Sequence, residues 1–129
     1  MRWANLKGAN LESANLKLDK YLKGANLENA NLENANLEGA YIDESTFDNA
    51  NLKGANLTKC YIDIDGWVTF KGANLENTIL EDFYRHYHDW RDEPDEDTPI
   101  DFTGANLKNI NVEGADLSNS NFYECFDNQ

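Results

Sequence analysis

The chain has 129 residues, with 24 Asp plus Glu against 11 Lys plus Arg and a net charge of −13, a length that fits one domain. So acidic a balance argues against direct nucleic-acid binding, because phosphates are met by clustered Lys and Arg. At 40% hydrophobic and 12% aromatic, the chain is too apolar to be disordered by composition. No apolar run nears the ~20 residues of a membrane helix, and Met1-Arg2-Trp3-Ala4 does not read as a signal peptide. The expected location is the cytoplasm, with no membrane as partner.

A five-residue unit recurs from Ala4 onward: Ala-Asn-Leu, a charged residue, then Gly, Asn or another polar residue. Ala4-Asn5-Leu6-Lys7-Gly8, Ala9-Asn10-Leu11-Glu12-Ser13 and Ala25-Asn26-Leu27-Glu28-Asn29 are typical. Taking the third residue as the centre, the first run has centres Leu6, Leu11 and Leu16. A second run goes from Leu22 through Leu27, Leu32, Leu37, Ile42, Phe47, Leu52 and Leu57 to Ile62. A third holds Phe70, Leu75 and Leu80, and a fourth Phe102, Leu107, Val112, Leu117 and Phe122, twenty large apolar centres in all. A period of five matches neither an amphipathic helix nor an alternating strand. It calls for a chain that turns a corner in each unit, with one small and one large apolar residue pointing inward and turn formers between them.

Repeated twenty times, this pattern resembles the pentapeptide-repeat family, whose consensus is Ala-(Asp/Asn)-Leu-x-x. The resemblance implies an all-β fold, a right-handed quadrilateral parallel β-helix of about five coils, as a single domain over residues 1–129. With four units per coil, units four apart stack in columns. Leu22, Ile42 and Ile62, each preceded by a tyrosine (Tyr21, Tyr41, Tyr61), then share one column, which Phe102 and Phe122 would extend. Phe47 falls over Phe70 and Thr46 over Thr69, and Asn10, Asn31, Asn51, Asn74 and Asn111 form another column. Leu22, Ile42, Phe47, Ile62, Phe70, Phe102 and Phe122 are the expected structural core.

Three interruptions break the repeat: one residue near Leu18-Asp19-Lys20, three within Asp63 to Trp67, and seventeen between Leu80 and Phe102. The counting puts the first and third at the same corner, between the third and fourth sides. Phe83, Tyr87 and Trp90 fall on one helical face, with Glu81 and Asp82 suited to a helix start and Pro94 limiting it. One to three helical turns are therefore expected within an excursion at about 81–101. That excursion carries nine acids and two bases, more than half of the net charge. It is either a solvated decoration docked by its aromatics near Ile79, or a loop that recognises a partner. The candidate protein-binding surface accordingly comprises Tyr21, Tyr41, Tyr61, Phe83, Tyr84, Tyr87 and Trp90, and Asp43, Glu44 and Asp63 beside the tyrosines suit a basic partner.

Little else suggests chemistry. His86 and His88 diverge on a helix and form no metal set. Cys60 replaces an inward alanine, Cys125 lies on another column, and no bridge is expected. The glycines Gly8, Gly24, Gly39, Gly54, Gly72, Gly104 and Gly114 all hold the fifth, turning position. No catalytic, cofactor-binding or metal residue is indicated, so an enzyme is not expected and no cofactor is implied. Phe122 to Phe126 would fold over the last coil as a partial cap, while open coil ends suit a monomer or a weak end-to-end dimer. The resemblance implies a non-catalytic scaffold or protein-binding module whose partner is unknown. The alternative, from the family's Qnr-type branch, is an acidic mimic of DNA that binds type II topoisomerase (DNA gyrase).

Overall fold

The computed structural model describes residues 4–18, 22–63, 66–86, 100–117 and 120–126. Along them the chain winds as a four-sided parallel β-helix. The unit builds its own corner. The centre carbonyl accepts a hydrogen bond from the N–H three residues on, as in Ala30 N to Leu27 O at 3.0 Å. Between them the fifth residue is left-handed: Gly54 at φ 69° and Asn34 at φ 58° hold the same position in successive coils. A turn with a left-handed third residue is the type II pattern, which explains the preference for Gly and Asn there. The Asn before each centre closes a second local ring, its Oδ1 accepting the backbone N–H two residues on (Glu33 N to Asn31 Oδ1, 3.1 Å).

Coils are joined by backbone ladders. Leu32 N–H donates to Asn51 O at 2.7 Å, Asn51 N–H to Ala30 O at 2.9 Å and Asn34 N–H to Lys53 O at 2.9 Å. The same three bonds recur from side to side, so each coil is a template for the next. Short strands mark the sides where pairing is longest: β1 (Ser45–Thr46), β2 (Tyr61–Asp63), β3 (Val68–Thr69), β4 (Tyr84–His86) and β5 (Ile100–Asp101). They form two parallel sheets, β1-β3-β5 and β2-β4. Five coils at about 4.8 Å each make a rod roughly 24 Å long.

Among the described residues the buried positions are apolar apart from Asp43, Ser45 and Thr78. Leu22, Ile42, Phe47, Ile62, Phe70 and Phe102 are fully buried, with Ala25, Ala30, Ala35, Ala50, Ala55 and Ala73 at the corners. Where a corner alanine is replaced, the polar atom finds a carbonyl of the coil below. Ser45 Oγ donates to Leu22 O at 2.6 Å, Thr78 Oγ1 to Leu52 O at 2.7 Å and Cys60 Sγ to Leu37 O at 3.1 Å. Burial pushes the Cys60 thiol far above its ordinary pKa, so it stays protonated and inert. Both Cys60 and Cys125 are free.

The register departs from the sequence-based count after Leu80. Phe83 takes the inward alanine position and is fully buried, and β4 pairs with β2, setting Tyr84 against Tyr61 and Arg85 against Ile62. Residues 84–86 are thus a strand of the fourth side, where a helix was expected; the rest of that expected helix, Tyr87 to Trp90, lies outside the described residues. The chain re-enters one side later than the count assumed. Ile100 and Asp101 pair with Val68 and Thr69, so Phe102 and Phe122 belong to the first side, with Phe47 and Phe70, and do not follow Ile62. Ring centroids along that column are 5.1 Å (Phe47–Phe70), 5.2 Å (Phe70–Phe102) and 5.1 Å (Phe102–Phe122). The asparagine column likewise ends in Asn106, and Asn111 instead stands over Ile79. The large interruption therefore adds twelve residues between His86 and Ile100, and shares its corner with the interruption after Asp63 rather than with the first. Phe126 also differs from expectation: its N–H donates to Ala105 O at 3.2 Å, so Phe122 to Phe126 begin a further coil rather than fold over the last one as a cap.

Candidate protein-binding surface

The fourth side is where the repeat changes character outward. Its outward position is tyrosine where the second side has asparagine. The Tyr41 and Tyr61 rings stack at 4.5 Å and 19°, and both residues are half-buried along the rod. Their backbones pair in parallel, as do those of Tyr61 and Tyr84, so the three occupy one column. The ladder spacing of successive coils sets the ring separation, and the offset stack favours that arrangement. Tyr21, Tyr87 and Trp90 lie outside the described residues. Phe83 is inside the rod and offers nothing to a partner.

Below the tyrosines, Lys23 Nζ stands 3.4 Å from Asp43 Oδ2, and the Asp43 side chain is almost fully buried. Burial pushes the Asp43 carboxyl above the usual carboxylate range, a shift that Lys23 only partly offsets. Asp43 thus serves the rod rather than its surroundings, while the half-buried Glu44 stays at the surface. On other sides ion pairs join neighbouring coils: Lys7 pairs with Glu28 at 3.5 Å, Lys17 with Glu38 at 3.6 Å and Lys71 with Asp101 at 3.6 Å.

The second side carries a different ladder. Asn51 Nδ2 reaches Asn31 Oδ1 at 3.4 Å, Asn74 Nδ2 reaches Asn51 Oδ1 at 3.5 Å and Asn106 Nδ2 reaches Asn74 Oδ1 at 3.3 Å. These amides hydrogen-bond one another along the rod. The exposed apolar residues Val112, Phe122, Tyr123 and Phe126 lie in or beyond the last coil, a feature that apolar centres alone did not reveal. Among the described residues no three His, Cys, Asp or Glu side chains converge as a metal site would require, and no helix is long and apolar enough to cross a membrane.

A parallel β-helix of four five-residue sides per coil, with alanine corners, leucine centres and left-handed fifth positions, defines a solenoid built from pentapeptides. The pentapeptide repeats family profile matches eight copies over residues 21–58 and 100–126, just over half of the chain. The chain belongs to the pentapeptide repeat family, and its β-helix is right-handed like those of that family. No curated protein matches the chain. Among solved structures it is similar to the pentapeptide repeat protein Rfr23 from the cyanobacterium Cyanothece 51142, at 21% identity and a TM-score of 0.62, over 98% of this chain and 89% of that one. It also matches HetL from Nostoc sp. strain PCC 7120, described as involved in heterocyst differentiation regulation, at 22% identity and a TM-score of 0.39, over 98% of this chain and 63% of that one. A third match is QnrB1, a plasmid-mediated fluoroquinolone resistance protein, at 20% identity and a TM-score of 0.38, over 92% of this chain and 60% of that one. The chain thus spans less than two thirds of the latter two.

Proposed function

We propose that this protein is a non-catalytic scaffold whose fourth side, bearing Tyr41 and Tyr61 with Tyr84 in register, docks a protein partner. The stacked tyrosine pair carries this reading: two large rings with polar tips are held at 4.5 Å on a backbone that cannot spread them. Tyrosine offers broad contact area at small entropic cost, because few side-chain torsions are left to fix. With Glu44 beside the rings and an overall charge of −13, the partner presents Lys or Arg, and an Arg over a tyrosine face gains cation–π attraction. The test is quantitative capture of partner with wild-type protein, with Tyr41→Ala/Tyr61→Ala, and with residues 87–99 replaced by a short Gly-Ser link. Binding lost in the double variant and kept in the shortened one supports the reading. The reverse pattern assigns recognition to the excursion and overturns it.

A second reading is favoured by the net charge alone: a mimic of DNA that binds type II topoisomerase. Against it, lysines are interspersed with the acids of the described shaft and pair with them between coils, as Lys7 does with Glu28, Lys17 with Glu38 and Lys71 with Asp101. Supercoiling assays across protein concentration and salt decide the matter. Inhibition that fades as salt rises supports mimicry, and none in low salt removes it.

A further inference from the structure

We propose that the corners bordering the fourth side set its specificity, for an extended partner segment lying across Tyr41 and Tyr61. On one border Glu44 with Trp67 receives a cationic side chain of that segment, and on the other Lys59 receives an anionic one. The inference rests on the fourth side being the docking face and adds what the segment must carry.

The left-handed fifth position is where a side chain costs most. Between the first and second sides, and between the second and third, the described positions are Gly or Asn, as at Asn29, Asn34, Gly54 and Asn77, with Ser13 and Glu124 the exceptions. The rule relaxes around the fourth side. Its borders hold Glu44 at φ 61°, Lys59 at φ 56°, Asp82 at φ 51° and Leu18 at φ 58°, beside Gly24, Gly39 and Gly114. Glycine would serve the turn at each of these corners, so strained charged side chains gathered at one face point to a use on that face.

The three-residue interruption acts at the same border. Trp67 O accepts the Glu44 N–H at 2.5 Å, the bond that Asp43 O takes from the Gly24 N–H one coil below. Trp67 thus stands at that corner in place of a unit's ordinary fourth residue, one coil above Glu44. Gly66 and Val68 on either side of it are buried, and a further coil pairs with Val68 through Ile100. Trp67 is nonetheless 39% exposed. A core role would bury an indole, whereas an exposed one stacked over a carboxylate-bearing corner offers a cation both a ring face and a charge.

Charge completes the pattern. Lys7, Lys17, Lys23 and Lys71 each pair with an acid of the next coil. Glu44 and Lys59 make no ion pair among the described residues, and Lys59 is exposed. The two stand on opposite borders of the side, separated across the rod by one unit of chain, no more than about 16 Å. An extended segment of four or five residues spans that width. The complementary sequence carries Arg or Lys at one end, residues that fit the tyrosines in the middle, and Asp or Glu at the other end.

The probe is a library of short random peptides displayed on phage and selected on the immobilised protein. Excess soluble Tyr41→Ala/Tyr61→Ala in the selection removes binders to other surfaces. Recovered peptides should carry Arg or Lys and Asp or Glu about four residues apart. As soluble peptides they should bind Glu44→Lys, Trp67→Ala and Lys59→Glu at least tenfold more weakly than wild type. Selection on Glu44→Lys/Lys59→Glu should return peptides with the two charges exchanged. Should a charge reversal fail to fold by circular dichroism, Glu44→Gly and Lys59→Gly decide. Relieved of left-handed strain, they should melt no lower than wild type and still lose at least tenfold in peptide affinity. Peptides that depend on the tyrosines but bind all these variants within twofold overturn this inference and leave the tyrosine face standing. A selection that yields no tyrosine-dependent peptide overturns both.

Discussion

Truncating Phe102 to Ala removes a fully buried ring that lies 5.2 Å and 6° from Phe70 on one side and 5.1 Å and 6° from Phe122 on the other. Loss of a buried phenylalanine side chain costs about 3–5 kcal/mol, from lost transfer energy and the residual cavity. The same change at half-exposed Phe122 should cost clearly less, because part of its ring already meets water. Stacking predicts more than a size effect. In a double-mutant cycle by urea denaturation, Phe70→Ala and Phe102→Ala should couple by about 0.5–1.5 kcal/mol. Ile62→Ala and Phe102→Ala, on different sides of the coil, should add to within about 0.5 kcal/mol. Coupling of Phe102 to Ile62 with none to Phe70 would refute the register and return the large interruption to the corner before the fourth side.

At the corners, Gly54 and Gly8 are both left-handed, at φ 69°. A Cβ on Gly54 meets the Asn34 side-chain oxygen, and one on Gly8 meets nothing. Both changes to Ala should cost the ~1–2 kcal/mol of left-handed strain, with Gly54→Ala costing more; equal melting shifts would contradict the close approach. For pH, the raised pKa of Asp43 means folding favours its protonated form. Its contribution is present below the usual carboxylate range and lost as pH rises through the raised value. Wild type minus Asp43→Asn stability should therefore fall with rising pH across that window, and a rise would reverse the assignment. Replacing residues 87–99 by a short Gly-Ser link should leave a cooperatively melting β-rich rod, since loop closure depends weakly on length. Extending the replacement back to 84 removes β4 and should destabilise the protein markedly in thermal melts.

The period of five, the alanine corners and the leucine centres carried the solenoid in plain view, because each unit satisfies the same turn and the same two inward positions. Columns from Leu6 to Leu80 were legible for the same reason: like residues stack. The register slipped at Phe83-Tyr84-Arg85-His86. That unit has an aromatic in place of alanine and a charged residue at the centre, so nothing in its composition marks it as a side of the coil. The spacing of Phe83, Tyr87 and Trp90 imitated a helical face, yet the template offered by β2 held the backbone in strand. Pairing with a neighbouring coil is a tertiary force that a local pattern does not contain. The tyrosine ladder was visible as a twenty-residue recurrence. The exposure of Val112 and Phe122 was not, since apolar centres look alike whether or not another coil covers them.

The central claim is that the fourth side is the working face of a rigid rod. A photo-cross-linking amino acid placed at 61 on the tyrosine side, and separately at 31 on the asparagine side, tests it most directly. Both sites are half-buried outward positions, so accessibility does not separate them. The account predicts one defined adduct with a Lys- or Arg-rich partner from position 61, competed by wild-type protein and not by Tyr41→Ala/Tyr61→Ala. The same adduct formed from position 31, or one competed equally by that variant, would contradict it.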